Sequence, residues 1–467
     1  MTDSRELNLT LEPLKSVGKN LKSSNYNYFI LSNENFVLGY NFLYRTILKI
    51  PLEVFVKIDE LFNLLLNKSI DFDLAWPNKV NLPEELIETL RDAHFLIDEE
   101  MDELSLIKFR YNKSLFASDT LSLVILPTLW CNFACPYCFE YKKNIFMTSE
   151  IENKLIKWIK KFSKKRHISV AWFGGEPLLA KDTIFRLTNE IKQFCSTINA
   201  TYSASLTTNG FFLDPDFQKE IPNLNIHNVQ ITLDGNKNAH DQYRKQLNGD
   251  GSFDQIFDNI ISFCENVPED YNLSLRVNCS DDNYDEVNKL IENFPPKVTN
   301  RVSIFFRWIY ANEASGNREF ACSKRGEEPF EGLYKLYNSS SKQGLNTSNP
   351  HNDLLDGYCE VDYVDHFNVD PEGNLFLCTH TFDKSEVVGS IGDDSNSFNE
   401  SYYTKWYSLD PFSDPECIKC ILLPVCKGGC RKSRMEGHRE CIEELNSLDL
   451  YVKNIVQERL NSKNKSN

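Results

Sequence analysis

Three cysteines within eight positions, Cys131, Cys135 and Cys138 in the fragment CNFACPYC, carry the clearest chemistry of this chain. They directly follow the apolar run Leu121 to Leu129, which reads as a strand, so they lie on a loop at a strand end that can turn three thiolates toward one point. Three thiolates hold three irons of a [4Fe-4S] cluster and leave the fourth iron open, whereas structural zinc takes four closed ligands and no fourth Cys or His lies nearby. A second concentration reads Cys417-x2-Cys420-x5-Cys426-x3-Cys430, flanked by Cys359, Cys378 and Cys441. Taken alone, two such pairs suit a zinc ribbon as well as a cluster cage. Cys195, Cys264 and Cys279, on helix faces or beside a strand end, read as buried thiols, and Cys322 stands apart in a loop.

The elements that must position these groups follow from periodicity. Between about 121 and 310 the chain alternates short β-branched or aromatic runs with amphipathic segments, and strands are expected at 121–129, 167–173, 202–206, 229–233, 272–278 and 302–308. Ser149-x-x-Glu152 and Ser252-x-x-Gln255 read as capping boxes that open two of the intervening helices. Right-handed crossovers place about six such strands in one parallel sheet, whose C-terminal edge carries the functional loops.

The first 115 residues differ in character. Tyr26 to Leu31 and Phe36 to Ile50 suggest a hairpin, Pro51 opens a helix through Phe55, Ile58, Leu61, Phe62 and Leu65, and a second helix runs from Leu82-Pro83 to near His94. This pattern resembles a small winged-helix-like module. After about residue 340 the chain turns loop-rich and holds most of the cysteines, as a region stapled by metal would.

With 467 residues the chain has room for two or three domains, and its net charge of -16 disfavours nucleic-acid and anionic-membrane partners. No apolar run approaches the roughly 20 residues of a membrane span and the N-terminus lacks a signal-peptide centre, so a cytoplasmic location is expected. In that reducing compartment fourteen cysteines point to metal ligation or buried thiols rather than disulfides.

Cys131-x3-Cys135-x-Tyr137-Cys138 resembles the signature loop of the radical S-adenosylmethionine (SAM) superfamily. Gly174-Gly175-Glu176-Pro177 after the second strand, Thr207-Thr208-Asn209-Gly210 after the third, and Thr232-Leu233-Asp234-Gly235 leading into His240-Asp241-x-x-Arg244 resemble further motifs of that family, in its order. The resemblance implies a partial (β/α)6 barrel of the α/β class over 116–310, with Tyr137, Gly174, Gly175, Glu176, Pro177, Thr208, Thr232, Arg244 and Asn278 around SAM. Glu176 would hold its amino group, Arg244 its carboxylate, and Thr232 and Asn278 its ribose.

Residues 351–467 resemble the loop-rich SPASM extension of radical SAM enzymes that act on peptides, joined to the barrel through a linker at 311–350. By that resemblance the chain holds three [4Fe-4S] clusters. One auxiliary set is Cys417, Cys420, Cys426 and Cys441; the other is Cys359, Cys378 and Cys430, with either Cys322 or an open iron as the fourth position. Two subgroups share these motifs: anaerobic sulfatase-maturating enzymes and maturases that cross-link ribosomally made peptides. Sulfatase maturases begin almost at the cysteine loop and carry an Asp after the cysteine aligned with Cys378, where this chain has about 115 preceding residues and Thr379-His380. The expectation is therefore a peptide maturase of the darobactin or cyclophane type, forming carbon-carbon, ether or thioether links. Its partners would be a precursor whose leader is captured by residues 1–115 and an electron donor such as flavodoxin or ferredoxin. A sulfatase-maturating enzyme, or an electron-transfer protein that does not cleave SAM, is the alternative.

Overall fold

The computed structural model describes residues 21–33, 35–55, 84–116, 119–140, 142–280, 282–309, 327–347, 359–380, 384–392, 398–442, 445 and 447–465. They form two compact units. One joins the residues up to Ser114 with those from Asp410 onward; the other joins those from Leu115 to 347 with Cys359–Leu409.

In the first unit β1 (Leu21–Ser23), β2 (Asn27–Asn33), β3 (Phe36–Asn41) and β4 (Thr46–Pro51) precede the helix Glu84–Asp92, β5 (Leu96–Asp98) and the helix Glu103–Phe116. Strands β2, β3 and β4 make an antiparallel sheet, and β1 pairs with β5. Phe29, Val37, Leu48, Ile50, Leu86, Leu90 and Phe95 form the core between sheet and helix. The segment 36–50, expected as one arm of a hairpin, is a hairpin in itself. Its turn lacks Gly and Pro and is held instead by Asn41, whose Oδ1 accepts from Leu43 N at 3.0 Å and Tyr44 N at 2.8 Å, while Arg45 takes φ +56°. Of the helix expected from Pro51, residues 52–55 are helical and the rest lies outside the described residues.

The second unit is built on a ten-stranded sheet in the order β12-β11-β10-β9-β8-β7-β6-β13-β14-β15. Its centre is the expected parallel series β6 (Thr120–Ile125), β7 (His167–Trp172), β8 (Thr201–Thr208), β9 (Ile226–Thr232), β10 (Asn272–Cys279) and β11 (Val302–Trp308). These strands alternate with helices, among them Ser149–Ile159, Lys181–Ile198 and Phe253–Asn266. Every second side chain packs against those helices: Leu121, Leu123, Ile168, Val170, Val229, Ile231, Leu275, Val277, Ile304 and Phe306 are all at most 1 % exposed. The intervening residues make a polar face that includes Ser122, Ser169, Ser205, Gln230 and Ser274. This is the partial radical SAM barrel architecture.

Both capping boxes are corrected by the structure. Thr148 rather than Ser149 is the N-cap, accepting from Ile151 N, and Glu152 is drawn away to Thr183 Oγ1 at 2.8 Å and to Arg186. Ser252 Oγ donates to the Arg244 carbonyl at 2.7 Å, so Asp241 accepts from the Ser252 and Phe253 amides in its place. Within the stretch expected as a linker, the described residues form the helix Glu327–Lys342 and β12 (Asn346–Thr347), which extends the parallel sheet beside β11. At the opposite edge β13 (His366–Val369) pairs parallel to β6, and β14 (Asn374–Phe376) and β15 (Gly389–Ser390) follow antiparallel. The helix Leu448–Lys465 belongs to the first unit, where Tyr451 stacks on Phe42 at 6.1 Å and Asp449 accepts from Tyr28 Oη at 2.6 Å. No helix among the described residues is long and apolar enough to cross a membrane.

Candidate active site

The cysteine loop leaves the end of β6 and is clamped to the barrel by backbone. Ala134 N donates to Lys245 O at 2.8 Å, Leu247 N to Asn132 O at 2.9 Å, and Lys142 Nζ to Phe133 O at 2.7 Å. From the end of β7, Gly175 N donates to Thr128 O at 3.1 Å and Glu176 N to Trp130 O at 2.8 Å. The glycines are required by this approach: Gly174 has φ +113°, and a Cβ on Gly175 would fall on the Trp130 carbonyl. What the two glycines admit is thus the backbone leading into Cys131.

Glu176 is fully buried and spans two strand ends. Its Oε1 accepts from Leu178 N at 2.9 Å and Thr208 Oγ1 at 2.7 Å, and its Oε2 from Asn209 N at 2.7 Å. Asn209 continues to the loop through Nδ2, which donates to Asn132 Oδ1 at 2.7 Å and faces Cys131 Sγ at 3.9 Å. Burial, with Glu176 next, pushes the Cys131 thiol up to about 12, and burial also raises Cys138. Thiols so placed keep their protons until iron replaces them. Cys131, Cys135 and Cys138 are brought together, and a cluster with one open iron suits their loop.

Beside the loop the ends of β9 and β10 assemble a polar network. Tyr137 Oη donates to Asp234 Oδ2, Asp234 Oδ1 accepts from Asn278 N at 3.0 Å, and Arg244 Nη1 donates to Tyr137 Oη at 3.0 Å and lies 3.8 Å from Asp234. Burial holds the Tyr137 phenol well above its usual range, so it remains a donor. Thr232 and Asn278 are both 7 % exposed at neighbouring strand ends. Sequence reasoning missed Asp234 as the hub of this group, although its place in the strand-end motif was visible. It also missed Glu140, whose two carboxyl oxygens are buried without a hydrogen-bond partner among the described residues and whose pKa burial lifts to about 8. Near the same loop Phe139 stacks on His380, the second residue after Cys378, with ring centroids 4.4 Å apart.

The second cysteine group divides between the units. In the first unit Cys417, Cys420, Cys426 and Cys441 line one cavity of about 230 Å³, with Leu422, Leu423, Ile442 and Arg439. No three Cys, His, Asp or Glu side chains among the described residues converge as closely as a single metal ion demands. Arg434 Nη2 donates to Cys417 Sγ at 2.9 Å and its Nη1 reaches Asp414 at 3.4 Å. Cys430 lies in this unit but does not line the cavity, whereas Cys359, exposed, and Cys378, buried, belong to the other unit. Cys195 and Cys279 are buried thiols as expected, Cys264 is only half-buried, and Cys322 lies outside the described residues.

Residues 125–294 match the family model of the radical SAM superfamily, so this stretch is a radical SAM domain, a type that works with a [4Fe-4S] cluster and SAM. Among characterised proteins it is 25 % identical over 343 residues to a cysteine-type anaerobic sulfatase-maturating enzyme of Clostridium novyi, covering 68 % of this chain and 89 % of that one. It is 24 % identical over 355 residues to the radical SAM cyclopropyl synthase TigE of Paramaledivibacter caminithermalis, covering 64 % and 65 %. Among solved structures its fold is similar to anSMEcpe with bound AdoMet and Cp18Cys peptide (TM-score 0.59, 21 % identity, 74 % of this chain and 100 % of that one). It is also similar to SuiB of Streptococcus suis bound to the precursor peptide SuiA (TM-score 0.50, 14 % identity, 91 % and 100 %).

Proposed function

We propose that this enzyme is a peptide maturase that removes a side-chain hydrogen from a ribosomally made precursor and closes an intramolecular cross-link, with carbon-carbon or ether bonds at aromatic residues favoured. When bound beside Cys131, Cys135 and Cys138, SAM would supply a 5'-deoxyadenosyl radical that takes one hydrogen atom from the substrate; the second hydrogen lost on ring closure would leave as a proton, its electron passing to an auxiliary cluster. The chain's own part is positional. Arg244, held by Tyr137 and Asp234, is proposed to take the SAM carboxylate, Thr232 and Asn278 the ribose, and the Glu176 edge with Gly174, Gly175, Pro177 and Thr208 the amino end. Cys417, Cys420, Cys426 and Cys441 are proposed to hold one auxiliary cluster. Cys359, Cys378 and Cys430 are proposed to hold another, with Cys322 or an open iron completing it. The segments 1–115, 116–310 and 351–467 are proposed as leader-recognition, radical and auxiliary-cluster domains.

The observation that carries the cross-linking reading is the residue pair after Cys378. Where sulfatase maturases place an acidic base, this chain has Thr379 and His380, and His380 packs its ring on Phe139. A fold likeness to SuiB bound to its precursor peptide SuiA, over 91 % of this chain, supports it. The sulfatase-maturing reading keeps the support of the sequence relatives. Co-expression with a precursor from the same gene neighbourhood separates them by mass spectrometry: a cross-link removes two hydrogens and leaves no carbonyl. A serine oxidised to the aldehyde also loses two hydrogens, but it reacts with hydrazine reagents.

A further inference from the structure

We infer that Arg276 and Arg307 form a carboxylate-binding subsite for the substrate, so that the peptide proposed above presents an acidic side chain or its C-terminal carboxylate beside the reacting residue. This inference rests on that peptide reading. Strands β10 and β11 run parallel, with Asn278 opposite Arg307 and Arg276 opposite Phe305. The two-residue period puts Arg276 and Arg307 on the polar face of the sheet, because their neighbours Leu275, Val277 and Phe306 are 0 % exposed on the helix side. The two guanidiniums are therefore diagonal neighbours at the C-terminal edge, one strand from Asp234 and Arg244.

Neither arginine has a carboxylate partner among the described residues. Arg276 donates through Nε to Asn278 Oδ1 at 2.9 Å, and Arg307 donates through Nη1 to the Phe306 carbonyl at 3.3 Å. The nearest acid, Asp234, already accepts from Tyr137 and Asn278 N and faces Arg244. Orienting Asn278 would account for Nε of Arg276, and Arg307 also lies over the Phe305 ring with 5.9 Å to its centroid, but neither contact supplies either guanidinium with an anion. Burial and the neighbouring Arg307 lower the pKa of Arg276, as a like charge close by does. Such a pair is costly unless an anion lies between them, and planar forks side by side match the two oxygens of a carboxylate. One SAM carboxylate, assigned to Arg244, leaves this pair open.

The test uses the full-length, anaerobically reconstituted enzyme with SAM and four probes: acetyl-GGEGG-amide, acetyl-GGQGG-amide, acetyl-GGGGG with a free C-terminus, and glutarate. Binding is read by titration calorimetry. One or both carboxylate peptides should bind at least about tenfold tighter than the glutamine peptide. The tighter of the two identifies whether a side chain or a C-terminus supplies the carboxylate. The preference should vanish in Arg276→Gln/Arg307→Gln and shrink in Arg307→Gln alone, a change that removes one bond to backbone and the contact with the Phe305 ring. Equal binding or no binding of the acidic and glutamine peptides would overturn the inference. So would a preference that survives in the double variant, or a variant whose only defect is in SAM affinity. Glutarate binding as tightly as the acidic peptide would keep the subsite and count against a peptide substrate.

Discussion

Gly175 has no room for a side chain, because the Trp130 carbonyl occupies the place of its Cβ. Gly175→Ala should push the cysteine loop away and cost about 1–3 kcal/mol of packing. The loss should be visible as incomplete iron loading at the radical SAM site by iron analysis and electron paramagnetic resonance. Tyr137→Phe removes the hydroxyl that joins Asp234 to Arg244. If Arg244 takes the SAM carboxylate, that variant should bind SAM about three- to tenfold more weakly in equilibrium dialysis, as the loss of one hydrogen bond implies. An unchanged affinity would detach Tyr137 from the SAM site. Arg434→Gln takes a cation from the sulfur of Cys417. The potential of the cluster proposed there should become more negative, since a hydrogen bond and a positive charge both favour the reduced cluster. A potentiometric titration in a background that carries Cys131→Ala/Cys135→Ala/Cys138→Ala together with Cys359→Ala/Cys378→Ala isolates that signal. The cysteines were legible because their spacing is unusual. Asp234, Arg276, Arg307 and Arg434 were not, because single charged residues declare a role only once the fold supplies their neighbours.

At the level of elements, the six parallel strands were legible because each repeats an apolar residue at every second position along its helix-facing side. Strands β12 to β15 were not, since runs of two to four residues hold too little periodicity to stand out. Their placement makes its own prediction through His366 on β13, which is 0 % exposed, shares a hydrogen bond with Ser122 Oγ at 3.0 Å, and has its pKa lowered by burial to about 4. The unfolded chain protonates this histidine near pH 6.5 while the folded chain does not until about pH 4, so stability is full above the first value and falls as pH drops toward the second. The loss should approach on the order of 3 kcal/mol. Thermal midpoints measured from pH 7 to 5 should fall in the parent and flatten in His366→Leu; parallel curves would assign the acid sensitivity to other groups.

For the whole molecule, the cysteine-rich segment was expected as one loop-rich domain. Residues 359–409 instead complete the barrel sheet, while Asp410 onward joins the N-terminal module. Sequence order hid this because the helix Leu448–Lys465 buries Tyr451 against Phe42, some four hundred positions earlier, and no local pattern announces such a contact. The central claim is a peptide cross-link made by radical chemistry, and the most direct measurement is the mass of a co-expressed precursor, before and after treatment with a hydrazine reagent. The account predicts a core peptide lighter by two hydrogens, inert to hydrazine, and unmodified when co-expressed with the Cys131→Ala enzyme. An aldehyde that hydrazine captures, or an unchanged mass with the clusters intact, would contradict it.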